Sequence, residues 1–150
     1  MLKQFAELTL EADGRYAQDY ELTFLEDYFK TQELRQSAYI KIRDSAKQII
    51  KAVKDEKIKR NPEFENYYAT CLRDLVDLLR YSAAALLFDD MERFRTNMLL
   101  WFQTISQAFK FEGDNQDTYD ALLKVIPQFL TPEEAKLAIP IFELNCAVLV

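Results

Sequence analysis

Apolar residues recur along most of the chain at intervals of three and four positions, which is the spacing of one face of an α-helix. One such stripe lies between Leu34 and Val53, and a second lies between Leu72 and Leu87. The chain has only 2 glycines and 4 prolines, too few for the many tight turns of a sandwich or barrel. The pattern therefore predicts an all-α protein of about six to eight helices, crossing at varied angles around one core as in globins.

Turn and capping residues set the expected bounds of the helices in the first half of the chain. The first helix is expected at Leu2–Glu11, with Gly14 suited to the turn that follows it. Asp19 is expected to cap the second helix, and a third should begin near Gln32. Pro62 should end that third helix, because a residue before proline avoids the helical conformation.

Further helices are expected in the second half. The fourth should end at Phe88, and Asp90 should cap the fifth, which Gly113 is expected to end. A sixth is expected over residues 116–130, where Pro127 should distort or shorten it.

Residues 131–134, Thr-Pro-Glu-Glu, carry the clearest local signal. Thr131 is expected as the N-cap, Pro132 as the first helical residue, and Glu134 as the residue that completes a capping box. The last helix should run from here to the C-terminal residues, with a kink at Pro140.

Size and charge limit the functional classes. The chain has 150 residues, of which 49% are apolar, and we expect one domain with a sizeable core. Its net charge of −6 argues against free nucleic acid as a partner, since binding it requires a positive surface. The basic run Lys51–Arg60 contains two acids and predicts a solvated helix end rather than a phosphate-binding patch.

Catalytic and metal-binding signatures are missing from the sequence. Histidine, the commonest general base and zinc ligand, does not occur. No GxSxG, P-loop or GxGxxG motif occurs either, so we expect neither an enzyme nor a metal site. Cys71 and Cys146 form no motif. Without a visible signal peptide or bilayer-spanning run, we expect a cytoplasmic protein without a disulfide.

Three segments resemble parts of the phycobiliprotein family, which includes allophycocyanin and phycocyanin. The family's N-terminal segment is similar to residues 11–29 (EADGRYAQDYELTFLEDYF). Its chromophore-attachment segment is similar to residues 70–81 (TCLRDLVDLLRY), and its first long globin helix is similar to residues 33–50 (ELRQSAYIKIRDSAKQII).

The resemblance implies a globin-like helical domain with an N-terminal helical pair. The pair would occupy residues 1–30 and the globin core residues 31–150. In the family the N-terminal pair forms the dimer, which places Arg15 and Tyr16 at the expected dimer contact. The resemblance thus implies a homo- or heterodimer.

The resemblance also implies a covalently bound linear tetrapyrrole (bilin) such as phycocyanobilin. By position, Cys71 would form the thioether, Arg73 would pair with a propionate, and Asp74 would accept hydrogen bonds from the central pyrrole nitrogens. Arginine offers a fixed fork to a carboxylate, and a carboxylate that faces cationic pyrrole N–H groups forms a charge-assisted bond.

Two departures from the family pattern indicate a divergent relative. The family has two tyrosines shortly after the aspartate, where this chain has Asp77 and Leu78. The segment that leads to the cysteine, NPEFENYY at residues 61–68, is short and has no glycine. Such a segment would leave a smaller or more open pigment pocket.

Each candidate residue also has a purely structural interpretation. In that interpretation Cys71 is a small core residue, Arg73 forms an (i, i+4) ion pair with Asp77, and Asp74 faces solvent.

The same holds outside the cysteine segment. Arg15 and Tyr16 have the alternative of a contact within one chain. The aromatic residues around Trp101 are expected in the core rather than around a cofactor, and so is Cys146.

The function expected from the resemblance is that of a non-enzymatic accessory protein of the cyanobacterial photosynthetic apparatus. It either carries a bilin at Cys71 or serves as a bilin-free scaffold. The alternative is an assembly or regulatory factor that binds photosystem or phycobilisome proteins without pigment. In each case we expect photosynthetic proteins as partners, and any location at the thylakoid membrane would come through them.

Overall fold

The structure, a computed structural model, describes residues 2–109 and 112–149, without the side chains of residues 2, 66–70, 109 and 112–115. The chain is 89% helical, and its described residues contain no strand. The predicted all-α, globin-like class is therefore confirmed. No helix in the described ranges is long and apolar enough to cross a membrane.

The elements follow one another with short connections. In chain order the α-helices are α1 (Leu2–Glu11), α2 (Thr23–Asp44), α3 (Ala46–Arg60), α4 (Phe64–Phe88), α5 (Met91–Phe94), α6 (Leu100–Phe109), α7 (Glu112–Val125) and α8 (Pro132–Leu149). Short 3₁₀ turns lie at Asp19–Leu22 and Ile126–Phe129, and a π-helical turn at Arg95–Leu99 joins α5 to α6.

Two expected bounds near the N-terminus are wrong. Gln18, not Asp19, precedes the 3₁₀ turn, because the Glu21 carboxylate accepts a hydrogen bond from the Gln18 backbone N–H at 2.6 Å. No helix begins near Gln32, because α2 contains no glycine or proline and continues to Asp44. The actual break is at Ser45, with φ −95° and ψ 8°.

The expected break at Gly113 is also wrong. α7 begins at Glu112, so Gly113 lies inside a helix. A single glycine costs a helix only about 1 kcal/mol relative to alanine, and the neighbouring turns can supply this. The residues between α6 and α7, 110 and 111, lie outside the described ranges.

The other local signals are confirmed. α3 ends at Arg60, before Asn61-Pro62, and Asp90 caps α5 by accepting a hydrogen bond from the Arg93 backbone N–H at 3.3 Å. α7 stops at Val125, before the 3₁₀ turn that contains Pro127. Pro140 lies inside α8, which remains one helix from Pro132 to Leu149.

The core lies where α2, α3, α4, α7 and α8 meet. α2 and α8 both pack on α4, and α7 packs on α3 and α8. The largest fully buried apolar and aromatic side chains are Ile42, Ile49, Val53, Phe64, Leu78, Leu99, Tyr119, Leu122, Val125, Ile126 and Phe142.

Buried polar contacts connect the helices within this core. Asn145 of α8 donates a hydrogen bond to Ser82 of α4 at 3.1 Å. Lys57 of α3 is buried, donates to the Thr118 hydroxyl at 2.7 Å and lies 4.0 Å from the centre of the Phe64 ring. The interpretation of Lys51–Arg60 as a wholly solvated helix end is therefore wrong at Lys57, because α7 covers this face.

Candidate functional site

A groove of about 840 Å³ runs between α4 and the helical stretch from Asp90 to Phe102. Its volume falls within the range of about 300–1,000 Å³ that is typical of small-molecule sites. On α4 the lining extends from Arg73 to Phe88, about 22 Å at the helical rise of 1.5 Å per residue. The site is therefore long and narrow, and it lies beside the segment that resembles the chromophore-attachment segment.

Charged side chains gather at the start of the α4 wall. Arg73, Asp74 and Asp77 all line the groove. The expected Arg73–Asp77 ion pair is wrong, because Asp77 instead pairs with Arg80 at 3.0 Å. Among the described residues Arg73 forms no ion pair, so its guanidinium is available to an anionic ligand.

Asp74 lies next to that guanidinium but is not neutralised by it. Partial burial raises the pKa of the Asp74 carboxyl, repulsion from Asp77 raises it further, and Arg73 lowers it by a smaller amount. Its position on the groove wall replaces the interpretation of a purely solvent-facing acid. A positively charged N–H group in the groove would relieve this repulsion and favour the ionised carboxylate.

The opposite wall presents one face of the helical stretch that follows Asp90. Arg93, Asn97 and Trp101 line the groove at intervals of four residues. Arg93 forms no ion pair within the described part of the chain and is a second exposed cation of the site. The sequence interpretation missed this face, although the spacing of a basic, an amide and an indole side chain at i, i+4 and i+8 was visible.

Aromatic side chains form most of the remaining surface. Trp101 is 61% exposed and Phe88 is 49% exposed, and both line the groove. The expectation that Trp101 lies in the core is therefore wrong, whereas Phe94 is buried as expected. The π-helical turn before α6 adds a residue to one helical turn and so changes which side chains of α6 face the core.

Cys71 lies one turn before Asp74 on α4 and is partly buried. It is not one of the residues that line the groove. The groove thus brings Arg73 and Asp74 together and leaves the Cys71 side chain outside its wall. Cys71 and Cys146 are not joined in a disulfide.

Cys146 packs against the core from α8, as the sequence predicts. Burial raises the pKa of its thiol, and the nearby carboxylate of Asp120 raises it further. A thiol with a raised pKa is a poor nucleophile, which fits a packing role.

Arg15 makes its polar contacts within the chain. Its guanidinium donates two hydrogen bonds to the Glu21 carboxylate, at 2.8 and 2.7 Å, and one to the Tyr16 carbonyl at 3.0 Å. This fork lowers the pKa of Glu21 to about 2. Tyr16 itself is 93% exposed, so Arg15 stiffens the turn and presents the tyrosine ring to solvent.

Exposed apolar side chains are concentrated in the first 34 residues. They are Phe5, Leu10, Tyr16, Tyr20, Leu22, Phe29 and Leu34. A contiguous group of large exposed apolar side chains is typical of a surface that contacts another protein.

Comparison with known proteins agrees with the fold. The family described as phycobilisome protein matches residues 8–149, which includes both groove walls and most of the N-terminal segment. A search of curated proteins found no match. Because the family match covers nearly the whole chain, this chain belongs to the phycobilisome protein family.

Proposed function

We propose that this chain is a non-enzymatic accessory protein of light harvesting whose groove between α4 and α6 holds a linear tetrapyrrole. Family membership supports a phycobiliprotein-like role in light harvesting, and phycobiliproteins are pigment-carrying structural proteins rather than enzymes. The observation that carries the pigment part is a long groove with two unpaired guanidinium groups and an aromatic wall.

The chemistry of the groove fits such a pigment. A linear tetrapyrrole carries two propionate carboxylates, and Arg73 and Arg93 supply one guanidinium for each. Asp74 supplies a carboxylate for the central pyrrole N–H groups. The rings of Trp101 and Phe88 supply flat apolar surface for the conjugated system. A pigment held at these points would be extended and rigid, as fluorescence requires.

Covalent attachment at Cys71 is the second part of the proposal. Cys71 is one turn from Asp74 on the same helix, and Arg73 places a positive charge close in sequence that favours the thiolate. Adding the S–H group across an exocyclic carbon–carbon double bond of the pigment forms the thioether and needs no oxidant. Since Cys71 is not part of the groove wall, attachment requires its side chain to turn toward the groove.

A second candidate function is that of a bilin-free assembly protein. The position of Cys71 outside the groove lining favours it, and so does the exposed apolar surface of the N-terminal segment. In this case the first 34 residues would contact a second copy or another protein of the photosynthetic apparatus, and the groove would have no pigment.

The test is to co-express the protein with bilin-synthesising enzymes and a lyase, then measure its visible absorption and zinc fluorescence on a denaturing gel. Cys71→Ala tests the attachment point and Arg73→Gln tests the propionate contact. Arg80→Gln is the matched control, because Arg80 lies on the same helix but does not line this groove.

The expected result is a coloured wild-type protein that keeps its pigment on the gel. Cys71→Ala should lose the covalent band, Arg73→Gln should lower the visible absorbance, and Arg80→Gln should match the wild type. A colourless wild type would overturn pigment binding and favour the assembly protein. Colour in solution without a band on the gel would overturn attachment at Cys71 alone.

A further inference from the structure

A second groove, of about 580 Å³, lies between α3 and α4 and reaches the C-terminal turns of α2. It shares no lining residue with the first groove and uses a different face of α4. Its volume also falls within the range of small-molecule sites, about 300–1,000 Å³. Nothing in the proposed pigment role uses this groove.

The floor of the second groove is apolar. Six aliphatic side chains form it: Ile42, Ile50, Leu72, Val76, Leu79 and Ala83. Val76 is 42% exposed, although it belongs to a helix whose other aliphatic side chains largely face the core. An exposed aliphatic floor between two helices would gain stability from an apolar chain laid along it.

The rim of the second groove is entirely basic. Five cationic side chains line it, and no acidic side chain does: Arg43, Lys47, Lys51, Lys54 and Arg80. In a chain of net charge −6 this is a marked local reversal of sign. The groove therefore attracts an anionic group and repels a cationic one.

Most of these cations already have a carboxylate partner. Arg43 pairs with Asp44 at 2.7 Å, Lys54 with Glu65 at 3.6 Å, and Arg80 with Asp77 at 3.0 Å. Lys47 and Lys51 form no ion pair among the described residues. These two lie four positions apart on α3, so their side chains project from the same face of the helix.

We propose that the second groove binds a free long-chain carboxylate, with the head group at Lys47 and Lys51 and the hydrocarbon chain on the aliphatic floor. Two unpaired ammonium groups one turn apart match a single carboxylate head. An acidic helix of a partner protein would bring several carboxylates to a rim whose other cations are already paired. A membrane surface is flat and does not fill a concave site between two helices.

The binding experiment uses laurate as the probe and isothermal titration calorimetry of the full-length protein, at concentrations below micelle formation. Saturable binding with one site per chain is expected. The double variant Lys47→Glu/Lys51→Glu should bind at least tenfold more weakly. Dodecyltrimethylammonium, which has the same chain length and the opposite charge, should also bind at least tenfold more weakly than laurate.

Control variants separate the groove from other causes. Lys136→Glu on α8 changes an exposed lysine away from the groove and should leave laurate binding unchanged. Val76→Glu introduces an acid into the floor at an exposed position, so it should weaken binding without unfolding the protein. Circular dichroism of each variant shows whether it remains folded.

The chain contains a single tryptophan, Trp101, and it lines the first groove. Laurate in the second groove should therefore leave the tryptophan emission unchanged. A large change in emission with laurate, equal binding of both amphiphiles, or equal binding to the Lys47/Lys51 variant would overturn the proposal. Sedimentation with anionic vesicles in the absence of binding to free laurate would also overturn it, in favour of a membrane contact.

Discussion

Replacing Glu134 by glutamine should remove a polar junction between α8 and α2. Glu134 is buried, and its carboxylate accepts hydrogen bonds from the Ser37 hydroxyl at 2.7 Å and from the Lys41 ammonium at 2.8 Å. It also accepts the Thr131 backbone N–H at 2.7 Å, which closes the capping box of α8. A glutamine would place an NH₂ donor among donors and remove the charge that pairs with Lys41.

The magnitude follows from the pKa of this carboxyl. Burial raises the pKa of Glu134, but the hydrogen bonds from Lys41, Thr131 and Ser37 together outweigh burial and lower it from an ordinary 4.5 to about 2. A tenfold change in proton affinity corresponds to about 1.4 kcal/mol, so the full difference stabilises the fold by about 3 kcal/mol. Because the Lys41 side chain is 39% exposed, solvent screens part of this, and we expect a loss of about 2 kcal/mol.

The same pKa gives this loss a definite pH dependence. The folded-state pKa of Glu134 lies below the unfolded value, so the unfolded chain binds more protons between the two. The stabilisation is therefore complete above about pH 5 and is lost as the pH falls toward 2. Glu21 and Glu56 also have pKa values lowered to about 2, so the informative quantity is the difference between wild type and variant.

The assay is urea unfolding of wild type, Glu134→Gln and Glu133→Gln between pH 7 and pH 3. Glu133 is the matched control, because it is the exposed neighbour in the same first turn of α8. The wild-type advantage over Glu134→Gln should shrink as the pH falls, and Glu133→Gln should stay within about 0.5 kcal/mol of wild type. A loss at Glu134 below that size, or one that does not change with pH, would refute the reasoning.

Three further predictions concern the core, a helix cap and the N-terminal segment. Leu122→Ala should lower the free energy of unfolding by about 3 kcal/mol, because Leu122 is fully buried, while Leu100→Ala, at a 40% exposed site, should cost under about 1 kcal/mol. Asp90→Ala should cost about 1 kcal/mol through loss of the α5 cap, and Asp90→Asn should retain most of it; calorimetric melting compares the two. Removing residues 2–18 should convert a dimer to a monomer in analytical ultracentrifugation while the rest of the chain stays folded, and an unchanged oligomeric state would contradict the proposed contact.

The candidate site was predictable only where it follows a local motif. Arg73 and Asp74 were identified from the Cys-Leu-Arg-Asp run, and the structure places both on the groove wall. Arg93 and Trp101 belong to the opposite wall, and their part in the site depends on how the helix after Asp90 approaches α4. No local pattern specifies that approach, because it results from packing between residues distant in sequence.

The sequence by itself determined the all-α class, the cap at Asp90 and the capping box at Thr131, since these depend on apolar spacing and on hydrogen bonds within four residues. Only the tertiary structure decided that Lys57 is buried, that Trp101 is exposed and that Glu134 pairs with Lys41. Each of these outcomes depends on a neighbouring helix that covers or leaves bare one face of another. The free energy of such contacts arises from burial and charge pairing across the fold, which the order of residues along one helix does not contain.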